Sequence, residues 1–185
     1  MKDFETVYNV VKNKLSEKRF FHSVCVMERA VEYAKIYGED VEKAKLVGIA
    51  HDVLKETPKE ARIKEAEELG VILDGIEKVS LALIHAKAGA EYCKREFGFS
   101  DDMCDAIKYH TTGRANMTTL EKIIYLADAT GKDRDFEEAS IGYELAKKDL
   151  DEALMFFFKK TIEWQLEDDK KLHFNTIEAY NFLAK

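Results

Sequence analysis

Residues that break helices are scarce in this sequence. It has one proline and nine glycines among 185 residues. Sheet proteins with many tight turns need more of both, so the composition favours many helices joined by short loops. No uninterrupted apolar stretch approaches the roughly 20 residues of a membrane span. The segment from Met1 to Phe4 also lacks the apolar region of a secretion signal. We therefore expect a cytoplasmic protein without a membrane partner.

The sequence has few cysteines, and its acidic residues outnumber its basic residues. Cys25, Cys93 and Cys104 include no C-x-x-C pair, and we expect buried thiols in a reducing compartment without a metal role. Lys and Arg total 29 against 36 Asp and Glu, giving a net charge of −7. This balance argues against nucleic-acid binding by bulk attraction. An anionic ligand would have to be neutralised locally, by metals, helix N-termini or a few placed cations.

Helical patterns cover most of the chain. A length of 185 residues and a hydrophobic fraction of 46% suit one core, and no repeat or linker divides the sequence. We predict an all-α, single-domain helical bundle spanning residues 1–185. The expected helices are Phe21–Tyr37 stopped by Gly38, Asp40 to about Leu54, Thr57 to Gly70 with a capping box to Glu60, Glu77–Phe97 in two pieces, Ser100 to His110, Thr118 through Asp128 with a capping box to Glu121, Leu150–Leu166, and a short helix after Asn175.

The pair His51-Asp52 is the most informative feature. It ends the apolar run Leu46–Ala50, and burying such groups without partners costs several kcal/mol. Alone, the pair could be a capped helix end, and a single buried histidine is more often a core residue than a ligand. However, similar side chains follow other apolar helical stretches, and a metal would give them all a shared partner. The candidate ligands are His22, His51, Asp52, His85, His110 and Asp128.

These six donors exceed what one tetrahedral metal requires. Two cations roughly 3.5–4 Å apart, bridged by a carboxylate, can share a hydroxide and grip a phosphorus centre. We predict that Asp52 bridges the two metals. His51, His22 and Asp128 would complete one metal, and His85 and His110 would bind the other.

The ordered motifs resemble a known family. They are Phe20-Phe21-His22-Ser23, Ala50 to Lys55, Tyr109-His110-Thr111-Thr112-Gly113-Arg114, Leu120 to Asp128, and Arg134-Asp135-Phe136. Together they resemble the HD-domain metal-dependent phosphohydrolases. Within these they are similar to the YqeK-type subgroup, the symmetrical bis(5′-nucleosyl)-tetraphosphatases of bacteria. The likeness runs from about His22 to Asn181.

The resemblance implies hydrolysis of diadenosine tetraphosphate to two ADP, with a small-molecule nucleotide as partner. A hydroxide bound to two divalent or mixed-valent metal ions would attack an inner phosphorus. Iron is the favoured metal, with Mn, Zn, Co, Ni and Mg as alternatives. His51, Asp52 and Lys55 are the candidate catalytic residues. Candidate substrate contacts are Lys55, His110, Thr111, Gly113, Arg114, Arg134 and His173, the last as a base or ribose contact or else a surface histidine.

The sequence departs from the family pattern at two places. After Asp128 the family commonly has an Ile-Glu-Pro stretch, and this sequence has residues 129–133 instead. Phe174 follows His173, at a position where the family usually has a proline. We expect both changes to leave the metal ligands untouched and to alter base and phosphate contacts. Alternative functions are an HD phosphohydrolase acting on a nucleoside monophosphate or cyclic dinucleotide, and a non-catalytic helical nucleotide-binding module. The run Phe156–Phe158 predicts core packing or a homodimer contact.

Overall fold

The computed structural model describes residues 1–184. This part of the chain forms ten α-helices and no strand, which confirms the predicted all-α fold. The helices are α1 Phe4–Lys14, α2 Glu17–Tyr37, α3 Val41–Ala50, α4 Arg62–Glu68, α5 Ile84–Phe97, α6 Asp101–Lys108, α7 Thr119–Ala129, α8 Glu137–Ala146, α9 Leu150–Glu167 and α10 Phe174–Leu183.

Local signals set several helix ends as predicted. Gly38 adopts a φ of 67° and closes α2, a conformation that glycine takes without steric cost. The Asp40 carboxylate accepts from two backbone N–H groups at the start of α3. Thr118 and Glu121 form both halves of a capping box at the start of α7. In each case the stabilising hydrogen bonds come from residues within one turn.

Several predicted helix boundaries are wrong, and α2 begins at Glu17 instead of Phe21. The helix expected from Thr57 begins at Arg62 and has no side-chain cap. The reason is that the Arg62 guanidinium donates to the carbonyls of Lys55 and Thr57, which holds this segment in turns. α3 ends at Ala50, so the His51-Asp52 pair follows the helix instead of lying inside it.

The stretch before α5 is also a turn and not the predicted first helical piece. Asp74 accepts from the backbone N–H groups of Ile76 and Glu77, while Glu77 accepts from the N–H of Asp74. These side-chain bonds satisfy the backbone locally, so the segment stays a turn. The sequence patterns also missed α1 and α8 altogether.

The core is one buried cluster that most helices share. α2 packs against α3 and α7, and α6 packs against α5 and α7, while α8, α9 and α10 add a layer beside α7. Phe157 and Phe158 are buried in this core, and Phe156 is partly buried against it. The three cysteines are free and buried, as predicted. Among residues 1–184, no helix combines the length and apolar character needed to cross a membrane.

Candidate metal centre

The packing of α2, α3, α5, α6 and α7 brings the six predicted ligands together. His22 lies in α2, His51 and Asp52 follow α3, and His85 lies in the first turn of α5. His110 follows α6, and Asp128 is in the last turn of α7. The four histidines and Asp52 are buried, and the Asp128 side chain is partly exposed. We call this set the six-residue cluster.

A hydrogen bond at Nδ1 orients each histidine of the cluster. The Nδ1 atoms of His51, His85 and His110 lie 2.8, 2.6 and 2.6 Å from the backbone carbonyls three residues earlier. His22 Nδ1 lies 2.8 Å from Asp133 Oδ2. A carbonyl or carboxylate can only accept, so each Nδ1 carries the proton. Each Nε2 then presents a lone pair to the cluster, the tautomer found in metal-ligating histidine.

The two oxygens of Asp52 face different histidines. Oδ1 lies 3.0 Å from His85 Nε2 and 3.5 Å from His110 Nε2, and these two nitrogens are 3.2 Å apart. Oδ2 lies 3.5 Å from His51 Nε2 and 3.9 Å from His22 Nε2. Asp52 therefore stands between one pair of histidines on each side.

Asp128 closes the second group of donors. Its Oδ1 atom is 3.1 Å from His22 Nε2, and donor atoms of Asp128, His22 and His51 all lie within 4.8 Å of one another. Donor atoms of His51, Asp52 and His110 also lie within 4.8 Å of one another, so the division of the six residues between two metals stays a prediction. The role of each residue as a ligand stays a prediction.

The geometry and the unmet polar groups fit metal ions. Donors about 2.1 Å from a shared metal stand roughly 3.0–3.4 Å apart in octahedral or tetrahedral geometry, close to the separations found here. His22 Nε2, His51 Nε2 and Asp52 Oδ1 are buried and have no hydrogen-bond partner among the described residues. Unpaired buried groups of this kind are rare and costly. A cation on each side of Asp52 would satisfy all three.

The protonation states of the cluster also suit cations. Burial, as the largest effect, lowers the pKa of His85 to about 4, so this imidazole is neutral near pH 7. Burial tends to raise the pKa of Asp52, but the electrostatic influence of the imidazoles of His51, His110 and His85 outweighs it and holds that pKa well below its usual value. Burial likewise tends to raise the pKa of Asp128, but His22, His51 and Arg134 together outweigh it and hold that pKa well below its usual value. Two carboxylates and a neutral imidazole favour metal binding.

Three cationic side chains contact the carboxylates of the cluster. Lys55 Nζ lies 3.7 Å from Asp52 Oδ1 and 3.2 Å from His85 Nε2. Arg19 Nη1 lies 3.1 Å from Asp52 Oδ2. Arg134, predicted to grip phosphate, instead donates to the Asp128 carboxylate and to its backbone carbonyl.

Two residues at the cluster were missed from the sequence. Arg19 lies three residues before His22, on the same face of α2, and this spacing could have indicated it. Asp133 is held against His22 from 111 residues away, which no local pattern shows. It also falls in the segment that departs from the family pattern. The expectation that this departure leaves the metal ligands untouched stays a prediction, but the segment does contact His22 through Asp133.

Two other predicted substrate residues are engaged within the protein. The Arg114 guanidinium forms two hydrogen bonds, of 3.0 and 2.6 Å, to the buried Glu121 carboxylate. His173 Nδ1 accepts from the N–H of Asn175, and its Nε2 lies 3.0 Å from Asp74 Oδ2. Contacts of Arg114 or His173 with a phosphate or a base would require these existing hydrogen bonds to break. Gly113 lies against the Phe158 ring, with a φ of 65°.

A cleft of about 670 Å³ opens beside the cluster. Ala82 and Leu83, just before His85, and Thr111, just after His110, line it. Its other lining residues are Lys59, Arg62, Val79, Ser80, Leu81, Thr112, Thr161, Gln165, Lys170, Lys171, Leu172, His173 and Thr176. Apolar walls with basic residues at hand suit an anionic ligand that has an apolar face.

The fold and the paired histidine-aspartate cluster define a class of protein. Residues 19–133 match the model of the HD domain, and the chain belongs to the HD-domain family of metal-dependent phosphohydrolases. Two relatives named symmetrical bis(5′-nucleosyl)-tetraphosphatase are similar over nearly the whole chain. The relative from Halalkalibacterium halodurans is 39% identical, covering 94% of this chain and 93% of its own. The Bacillus subtilis relative is 38% identical, with 94% of each chain covered.

A crystal structure from Clostridium acetobutylicum shows the same fold. It is described as an HD superfamily hydrolase involved in NAD metabolism. It superposes with a TM-score of 0.94 at 39% identity, covering 99% of this chain and 97% of the other. The resemblance drawn from the motifs is thereby confirmed, and the chain is an HD-domain hydrolase.

Proposed function

We propose that this chain hydrolyses diadenosine tetraphosphate symmetrically to two ADP. The observation that carries the proposal is Asp52, whose two carboxylate oxygens face separate donor sets as a bridging ligand would. The names of the two relatives, both 38–39% identical over 94% of this chain, supply the substrate. The domain comprises the whole chain, residues 1–185.

The six-residue cluster would hold two metal ions, with iron as the first candidate. When bound, the ions would lower the pKa of a water molecule and neutralise phosphate charge. His22, His51 and Asp128 would serve one ion, His85 and His110 the other, and Asp52 both. Manganese, zinc, cobalt, nickel and magnesium remain candidates, because histidine-carboxylate sites accept several metals.

Protein side chains would orient the substrate around this centre. Lys55, whose ammonium lies 3.2 Å from His85 Nε2, can swing to a phosphate oxygen at the opening. Thr111 lines the cleft directly after His110 and can donate from its hydroxyl to the same phosphate chain. The cleft would then take one nucleoside, with Lys170 and Lys171 near its phosphate.

The residues engaged within the protein would act indirectly. Arg114, paired with Glu121, would fix the loop that contains Thr111 and Gly113. Arg134 would orient Asp128, and His173 would hold the cleft wall through Asp74. We propose these as positioning residues in place of the direct contacts expected from the sequence.

The test combines product analysis with metal content. We expect wild-type protein to convert diadenosine tetraphosphate to ADP only, resolved by chromatography, and to contain close to two metal ions per chain. His51→Ala and Asp52→Ala should each lower turnover by more than about 100-fold, because each removes a ligand that the nucleophile depends on. Asp102→Asn is the matched control, since Asp102 pairs with Lys43 on the surface.

Several results would contradict the proposal. Near wild-type turnover in His51→Ala or Asp52→Ala, with metal present, would refute the dinuclear site. Release of ATP and AMP would refute symmetric cleavage. Preference for a nucleoside monophosphate or cyclic dinucleotide in a substrate panel would assign the chain to another HD activity, and substoichiometric metal without hydrolysis would indicate a binding module.

A further inference from the structure

Arg19 occupies one side of the predicted bridging carboxylate. It lies in the first turn of α2, three residues before His22, and its Nη1 donates to Asp52 Oδ2 at 3.1 Å. The Arg19 side chain is 31% exposed, whereas that of Asp52 is 2% exposed. The guanidinium therefore reaches from the surface to the buried carboxylate, at the edge of the cluster.

Most N–H groups of the Arg19 guanidinium make no hydrogen bond within residues 1–184. A guanidinium has five N–H donors, and in residues 1–184 the contact with Asp52 is the one hydrogen bond that this side chain donates. Arg134 differs, because it is anchored both to the Asp128 carboxylate and to a backbone carbonyl. Arg19 has one attachment and can leave it by rotating its own side chain.

Arg19 and a metal ion require the same oxygen. Asp52 Oδ2 faces His51 and His22, so a cation bound by these two histidines would lie beside Oδ2. Two positive charges next to one carboxylate oxygen repel each other strongly in a partly buried site. The guanidinium and the cation should therefore exclude one another.

We propose that Arg19 is a phosphate-binding residue that Asp52 holds in reserve until the metal binds. The inference rests on the proposed function. Metal binding at the His22–His51 side displaces the guanidinium from Asp52 towards the opening of the site. There its planar fork can bind two oxygens of one phosphate of the polyphosphate chain. Lys55, on the Oδ1 side of the same carboxylate, is placed to do the same from the opposite side.

This exchange predicts effects of opposite sign on two ligands. Arg19→Gln removes the competing charge, so apo-protein should bind Mn²⁺ more tightly, by about threefold or more in a calorimetric titration. The same variant loaded with Mn²⁺ should bind ADP about tenfold or more weakly, the size expected for a lost charge-assisted hydrogen bond. Arg19→Lys keeps the charge but loses the fork, so its Mn²⁺ affinity should stay near wild type while its ADP affinity falls.

Controls separate this role from a structural one. Arg95→Gln removes the same charge about 15 Å along α5 from His85, where Arg95 pairs with Glu91, and it should change neither affinity. Circular dichroism and thermal unfolding of each variant establish folding. If Arg19 only oriented Asp52, Arg19→Gln would weaken Mn²⁺ and ADP binding together, and that result would overturn the proposal.

The outcome is distinguishable from failure of the proposed function. Unchanged ADP affinity in Arg19→Gln, in a protein that still cleaves diadenosine tetraphosphate, overturns the role of Arg19 alone. Opposite shifts in Mn²⁺ and ADP affinity, in a protein that does not cleave this substrate, support the role of Arg19 and refute the substrate.

Discussion

Replacing Gly113 with alanine should destabilise the protein in two separable ways. The residue has a φ of +65°, and a Cβ atom there would lie 2.6 Å from Cζ and 2.7 Å from Cε1 of Phe158. The left-handed conformation costs a residue with a Cβ about 1–2 kcal/mol. Phe158 is fully buried, and overpacking against a buried side chain costs about 1–3 kcal/mol.

Gly38 provides a matched control. It has nearly the same φ, +67°, but no heavy atom lies within 4 Å of its would-be Cβ. Gly38→Ala should therefore lower the free energy of unfolding by about 1–2 kcal/mol from backbone strain alone. Gly113→Ala should lower it by about 2–5 kcal/mol, the sum of strain and overpacking. The difference corresponds to an additional drop in Tm of about 2–12 °C.

Urea unfolding followed by circular dichroism measures both values. Phe158→Leu in the Gly113→Ala background should cost less than Phe158→Leu alone, because the smaller side chain relieves the clash. Equal destabilisation by Gly113→Ala and Gly38→Ala, within about 0.5 kcal/mol, the usual limit for independent sites, would refute the steric argument. Additive effects of the Gly113 and Phe158 substitutions would refute it as well.

Two further predictions concern thiol reactivity and helix capping. Burial is the main cause that raises the pKa of Cys25, Cys93 and Cys104, the last to about 11, so these thiols stay protonated at pH 8 and should react with Ellman's reagent only after denaturation. A thiol that reacts rapidly in the native protein would contradict this. Thr118→Ala should lower the free energy of unfolding by about 1 kcal/mol, because it removes the side-chain acceptor at the start of α7. Thr118→Ser keeps the hydroxyl, so most of this stabilisation should remain. Equal losses in the two variants, measured by urea unfolding, would exclude the hydroxyl as the stabilising group.

Features set by neighbouring residues could be predicted from the sequence. Gly38, Asp40 and Thr118 end or begin helices through bonds within one turn, and all three were identified from residue type and spacing. The helix expected at Thr57 failed because the guanidinium of Arg62 competes for the backbone carbonyls, which a capping pattern does not reveal.

The same distinction between local patterns and tertiary contacts applies to the candidate site. The six donors were found because each follows an apolar helical stretch and because their order resembles a family pattern. The partners that define the surrounding electrostatics were missed. Arg114 is predicted to bind phosphate, and its ion pair with the buried Glu121 is a contact that the motif does not show. Asp133 reaches His22 across 111 residues, a pairing that only tertiary packing creates.

The hydrogen bonds at Nδ1 have an evolutionary consequence. Three of the four imidazoles, those of His51, His85 and His110, are aimed by main-chain carbonyls. Main-chain oxygens are the same whatever amino acid supplies them, so mutation cannot readily retune these three rings. His22 alone among the four depends on a side chain, the carboxylate of Asp133. Selection for a different metal preference or reactivity can therefore act on this centre through substitution at position 133. The orientations of the other three rings are fixed by the main chain.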